Sequence, residues 1–132
     1  MKYIKAHLNV AKEYAKLSKA ERLKVACLII KDGRPISIGI NGTPSGYDNT
    51  CEINGVTKPE VLHSEANAIA FAASEGIATK GCIMVLTHSP CFECAKLIKQ
   101  SKIKAIYYET EYRLTDSLRF LKETNVLVRK IT

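Results

Sequence analysis

The chain has 132 residues, of which 46% are hydrophobic and 25% charged, a composition that fits one folded domain over residues 1–132 and excludes a disordered or fibrous chain. No apolar run approaches the roughly 20 residues of a membrane span, and Met1 to Lys5 lack the apolar stretch of a signal peptide, so a cytoplasmic protein is expected. The formal charge of +7 favours anionic partners, but the lysines are scattered rather than blocked, which argues against a nucleic-acid groove.

In chain order, Ile4, Leu8, Ala11, Tyr14 and Ala15 recur at helical spacing and predict an amphipathic helix from Lys2 to Leu17. Val25 to Ile30 and Pro35 to Ile40 read as a β-hairpin across Lys31-Asp32-Gly33-Arg34. Residues 41–60 are crowded with turn formers and read as one long irregular loop, of the kind that usually carries function. Ser64 to Glu75 is alanine-rich and apolar nearly all round, which predicts a central, buried helix stopped by Gly76. Strands at Cys82 to Leu86, Ile103 to Tyr108 and Val126 to Ile131 alternate with helices at Cys91 to Ser101 and Thr115 to Thr124. The order α-β-β-α-β-α-β-α-β predicts an α/β protein, a three-layer α/β/α sandwich around a mixed five-stranded sheet.

Five cysteines, an odd number, suit a reducing compartment and a metal or redox site better than a disulfide framework. Cys91 and Cys94, three apart at a helix start, can turn both sulfurs to one ion, and the positive end of the helix favours their thiolates. His63, at the start of the preceding helix, completes a set of three zinc ligands. A structural zinc normally takes four protein ligands and a catalytic zinc three, which leaves a position for water. Glu65, two residues past His63, would stand beside the metal without binding it and could carry protons from water to a leaving group.

His63-Ser64-Glu65 with Pro90-Cys91-Phe92-Glu93-Cys94 matches the signature of the zinc nucleobase deaminases, a specific combination where Cys-x-x-Cys alone would be weak. The wider stretches His63 to Ile69 and Thr87 to Lys96, with Gly39-Ile40-Asn41-Gly42, resemble the deoxycytidylate (dCMP) deaminases of bacteria and phages. The resemblance runs from about Arg22 to Tyr112. It implies the cytidine deaminase-like fold and one catalytic Zn2+ per chain. The activity it implies is hydrolysis of dCMP to dUMP and ammonia, supplying dUMP for thymidylate synthesis. It also implies a sugar contact from Asn41, with Thr43 near the nucleotide, a phosphate contact from Arg22, and Tyr112 of the pair Tyr112-Arg113 over the pocket. Ser89, in the zinc turn, is counted with these substrate contacts. A homo-oligomer, often a hexamer, is implied too, as is the host cell's cytoplasm if the source is viral.

Some positions leave alternatives open. Asn41-Gly42 is also a common turn dipeptide, and Arg22 also reads as a solvated charge. The family commonly has His-Ala-Glu where this chain has His63-Ser64-Glu65, and relatives with a longer insertion can bind a second zinc. Here the interval is short and Cys51 lacks clustered partners, so one zinc is expected. Regulation by dCTP and dTTP, with Mg2+ only alongside such a triphosphate, is left open because Gly46-Tyr47-Asp48-Asn49 matches the effector pattern incompletely. Cys27 and Cys82 read as core residues, His7 as helix packing and His88 as a pocket-rim residue. The rival readings are a nucleic-acid editing deaminase, a non-enzymatic zinc module, and a deaminase of another free nucleotide such as dCTP or a riboflavin precursor.

Overall fold

A computed structural model describes residues 2–112 and 114–132; Met1 and Arg113, the second member of the Tyr112-Arg113 pair, lie outside the described residues. The chain runs α1 (Lys2–Ala15), β1 (Ala26–Lys31), β2 (Arg34–Ile40), β3 (Glu52–Ile53), β4 (Val56–Thr57), α2 (Ser64–Ser74), β5 (Ile83–His88), α3 (Phe92–Gln100), β6 (Ala105–Thr110), α4 (Asp116–Glu123) and β7 (Leu127–Lys130). Asp32 and Gly33 close the first hairpin with φ of 50° and 79°, the left-handed pair that a two-residue turn between twisted strands needs.

Five strands form one sheet in the order β2-β1-β5-β6-β7. β1 pairs antiparallel with β2 and β5, whereas β5-β6 and β6-β7 are parallel and are crossed by α3 and α4. Alternation along the strands sorts the core into two layers. Cys27, Ile29, Met84, Leu86 and Ile106 pack with Ala68, Ala95, Ile98 and Leu121 of α2, α3 and α4. Leu28, Ile30 and Val85 pack on the other face with Leu8, Ala11 and Ala15 of α1. This is the expected three-layer α/β/α sandwich with a mixed five-stranded sheet.

Two expectations need correction. The 41–60 loop is not wholly irregular: Asn54 and Gly55, at φ of 54° and 76°, close a small hairpin of β3 and β4. An Asn-Gly dipeptide between Ile53 and Val56 carries that signal in the sequence, masked by the density of other turn formers. Nor is α2 buried all round. Ser64, Glu65, Ala68 and Ala72 are buried, but Ala70, Phe71 and Ala73 are exposed, because the helix lies in an outer layer and only one side meets the sheet.

The fold brings α2 unusually close to β2. A Cβ at Gly39 would stand 2.0 Å from the carbonyl oxygen of Ser64 and 2.7 Å from the amide nitrogen of Ala68. Cys27 and Cys82 are buried as read, and burial raises both thiol pKa values, so they stay protonated core residues. Among the described residues, no helix is long and apolar enough to cross a membrane.

Candidate active site

The N-termini of α2 and α3 meet at the carboxyl end of β5, where the sheet changes from antiparallel to parallel pairing. His63 is the N-cap of α2 and Cys91 the N-cap of α3, each with extended backbone, and Cys94 follows three positions into α3. The N-cap and the third helical residue face the same orphan N–H groups, which is why a Cys-x-x-Cys at a helix start converges. The buried hydroxyl of Ser117 in α4 donates to the carbonyl of Pro90 at 2.7 Å and so ties the Cys91 turn to its own layer.

His63 Nδ1 lies 3.4 Å from Cys91 Sγ and 3.3 Å from Cys94 Sγ, and all three donor atoms fall within 4.8 Å of one another. Zinc at bonds of about 2.3 Å to sulfur and about 2.0 Å to nitrogen spaces tetrahedral N and S donors by about 3.5 Å, so this trio fits the ion. Among the described residues it is the one such cluster; Cys51 is buried elsewhere in the cavity wall and takes no part.

Hydrogen bonding from Cys94, then from His63, pulls Cys91 down to about 4, so it is a thiolate at neutral pH. The same bond to Cys91, with burial, raises Cys94, which retains the shared proton. His63 is raised by its bond to Cys91. Cys91 thus supplies a charge in advance, and a dication held by the three residues would displace the proton on Cys94.

Glu65 is buried in the first turn of α2, where the Oγ of Ser64 donates to its Oε1 at 2.6 Å. Burial raises its pKa, and the Ser64 bond partly offsets this. A carboxyl moved up toward neutrality is suited to taking and returning protons.

These groups open into a cavity of about 310 Å³. Its lining includes His63, Glu65 and Cys91 with Arg22, Ser89 and Tyr112. Arg22 reaches it from the segment before β1, and Tyr112 from the turn after β6, where its backbone N–H donates to Ser89 Oγ at 2.6 Å. His88 also lines the cavity, and burial lowers its pKa and keeps the ring neutral.

Asn41 lines the cavity too, but its amide is already engaged: Oδ1 accepts from the N–H of Val25 at 3.0 Å and Nδ2 donates to the carbonyl of Leu23 at 2.8 Å. One hydrogen and one lone pair remain for a ligand. Thr43 is half-buried and stands outside the lining. Glu52 is in the lining and was not singled out by the sequence; recognising the Asn54-Gly55 turn would have put it at the end of a strand.

Three donors around one position, leaving a fourth for water next to a buried carboxyl, put this fold and site in the class of zinc-dependent hydrolytic deaminases. Residues 1–110 match the family model of the cytidine and deoxycytidylate deaminase zinc-binding region, and the chain belongs to that family. The chain is 35% identical over 100 residues to ComE operon protein 2 of Bacillus subtilis, covering 73% of this chain and 53% of that protein, about half its length. It is 33% identical over 148 residues to the deoxycytidylate deaminase of Enterobacteria phage T4, covering 80% of this chain and 76% of the phage protein. The dCMP deaminase of cyanophage S-TIM5, solved with dCMP and dUMP, superposes with a TM-score of 0.93 at 39% identity, covering 96% of this chain and 95% of that one.

Proposed function

We propose that the chain, acting as one domain, hydrolyses dCMP to dUMP and ammonia and thereby supplies dUMP for thymidylate synthesis. The observation that carries this reading is that Arg22 lines the same cavity as His63, Cys91 and the buried Glu65. The likeness to the cyanophage enzyme solved with dCMP and dUMP supports it.

His63, Cys91 and Cys94 would hold the metal. When bound, zinc supplies Lewis acidity that makes a water molecule a competent nucleophile near neutral pH. Glu65 accepts a proton as the water oxygen bonds to C4 of the cytosine ring, and passes it to N3. It moves the second proton to the amino group, the C4–N bond breaks, and ammonia leaves as the C4 carbonyl forms. Ser64 holds the carboxylate in place during both transfers.

Arg22 offers a planar fork of donors to the phosphate, which selects a monophosphate over the bare nucleoside. Tyr112, Ser89 and Asn41 line the same cavity and complete the proposed set of substrate contacts, Asn41 on the sugar, with Thr43 two residues further along the loop. The proposal extends to a cytoplasmic homo-oligomer, a hexamer by family resemblance, with dCTP and dTTP as the candidate effectors.

The test is ammonia release from cytidine, dCMP, CMP, dCTP and a cytosine-containing oligonucleotide by the zinc-loaded protein. dCMP is expected to turn over fastest. Equal rates on nucleoside and monophosphate would remove the phosphate role of Arg22, and turnover of the oligonucleotide without dCMP would replace this reading by nucleic-acid editing.

A further inference from the structure

The cavity wall between residues 18 and 25 has no regular secondary structure, yet it brings Ala20, Arg22, Leu23 and Val25 into the lining. Such a segment cannot present a side chain at a fixed place unless its backbone groups find partners elsewhere. Ser18 and Asn41 secure its two ends: Ser18 Oγ donates to the carbonyl of Asn41 at 2.7 Å, and the Asn41 amide bonds to Leu23 and Val25. The middle is held by a different residue. A single oxygen of Glu52, Oε2, accepts the N–H of Glu21 at 2.9 Å and the N–H of Arg22 at 3.2 Å.

Glu52 is well placed to act as a fixed anchor. It begins β3, next to the buried Cys51, in a hairpin closed by Asn54 and Gly55 and by the N–H of Lys58 donating to the carbonyl of Cys51 at 2.8 Å. Two N–H groups on one ionised oxygen make charge-assisted bonds, stronger than neutral ones. Among the described residues Glu52 and Arg22 form no ion pair, so the carboxylate holds the backbone of Arg22 and does not engage its guanidinium. The guanidinium is left available to a dianion.

We propose that Glu52 is a positioning residue for substrate selection: by fixing the Glu21 and Arg22 backbone in the segment that lines the cavity, it sets the preference for a nucleoside monophosphate over the nucleoside. This rests on the dCMP reading above. Glu52 touches no substrate in this scheme. It acts through Arg22, on an interaction made equally in the ground state and the transition state, so its loss appears in KM and not in kcat.

Steady-state kinetics of the zinc-loaded protein on dCMP and on deoxycytidine test this, with Glu52→Ala, Glu52→Met, Glu52→Gln, Arg22→Ala and the Glu52→Ala/Arg22→Ala double variant. Glu52→Met keeps the length of the side chain and removes its acceptor, which guards against a misfolded alanine variant. Both Glu52→Ala and Glu52→Met are expected to raise KM for dCMP about tenfold with kcat within about twofold, and to leave deoxycytidine turnover within about twofold. Glu52→Gln retains a carbonyl oxygen for both N–H groups and should hold KM within about threefold of the parent. In the Arg22→Ala background, Glu52→Ala should add less than about twofold, because the two act as one unit.

Equal losses on dCMP and deoxycytidine would overturn the proposal in favour of direct contact with the nucleoside. Additive losses with Arg22→Ala would overturn it too, since Glu52 would then not act through that residue, and a lowered KM in Glu52→Ala would mean that the carboxylate merely repels phosphate. A parent protein inactive on dCMP would instead remove the function on which the proposal rests.

Discussion

Ser64 Oγ donates to Glu65 Oε1 over 2.6 Å within the buried first turn of α2. The bond lowers the pKa of a carboxyl that burial pushes up, and it restrains the side chain proposed to carry protons. Ser64→Ala, which makes the motif His-Ala-Glu, should therefore lower kcat about threefold to tenfold, which corresponds to about 0.6–1.4 kcal/mol and lies in the about 0.5–1.5 kcal/mol range of a typical net hydrogen-bond contribution. Without the donor the pKa of Glu65 rises further, so the acidic limb of the kcat/KM profile should move to higher pH. A profile measured on dCMP between pH 5 and 9, roughly the span in which a raised carboxyl and the metal site titrate, checks both.

Glu65→Gln removes the group proposed to take and return protons while keeping its volume. Turnover should fall by about 10²–10⁴-fold or more, with zinc content unchanged by metal analysis. The same change should stabilise the metal-stripped protein. A carboxyl whose pKa is raised on folding favours the folded state below its unfolded pKa, and that contribution is lost as pH rises through the folded value. The melting temperature of Glu65→Gln should accordingly exceed the parent's by more at pH 8 than at pH 4, values chosen roughly either side of this window.

Metal affinity should follow the protons on the other two ligands. Cys94 gives up a proton on metal binding and His63 must be neutral, whereas Cys91, at about 4, is ionised across the working range. The zinc dissociation constant should rise about tenfold for each unit of falling pH while one proton is displaced, and more steeply once His63 is protonated. The raised pKa of His63 stabilises the metal-free fold below the unfolded value near 6.5, and this is lost as pH rises through the folded value. Loaded and stripped proteins should then diverge in melting temperature as pH increases, which calorimetry with and without a chelator measures. Cys94→Ser should abolish stoichiometric zinc.

The placement of His63, Cys91, Cys94 and Glu65 was legible because their spacing fixes it. Cys91 and Cys94 share one helix turn, and His63 and Glu65 flank the start of another. The sheet followed from apolar runs such as Ala26 to Ile30, buried on both faces. The cavity wall was less legible, since a segment without secondary structure has no period and its geometry comes from partners distant in sequence. Glu52 bonds to Glu21 and Arg22 across 31 and 30 residues, and Asn41 commits one amide hydrogen and one lone pair to Leu23 and Val25. Its type and motif suggested a sugar contact, but could not reveal those backbone partners.

Gly39 gives a further test of how the sheet places the site. Its absent side chain lets β2 approach the first turn of α2, where an added Cβ would meet backbone atoms that cannot rotate away: the Ser64 oxygen at 2.0 Å and the Ala68 nitrogen at 2.7 Å. The first turn of α2 carries Glu65 and follows His63, so relieving the clash moves both relative to Cys91 and Cys94 on α3. Overpacking of this kind costs typically about 1–3 kcal/mol. Gly39→Ala should therefore lower the melting temperature and weaken zinc binding by about tenfold or more, with kcat falling at saturating metal because Glu65 is displaced as well. Gly42, near the same loop, has no atom within 4 Å of an added Cβ and provides the control. If Gly39→Ala and Gly42→Ala retained zinc equally, the close contact between β2 and α2 would not be what sets the geometry of the metal site.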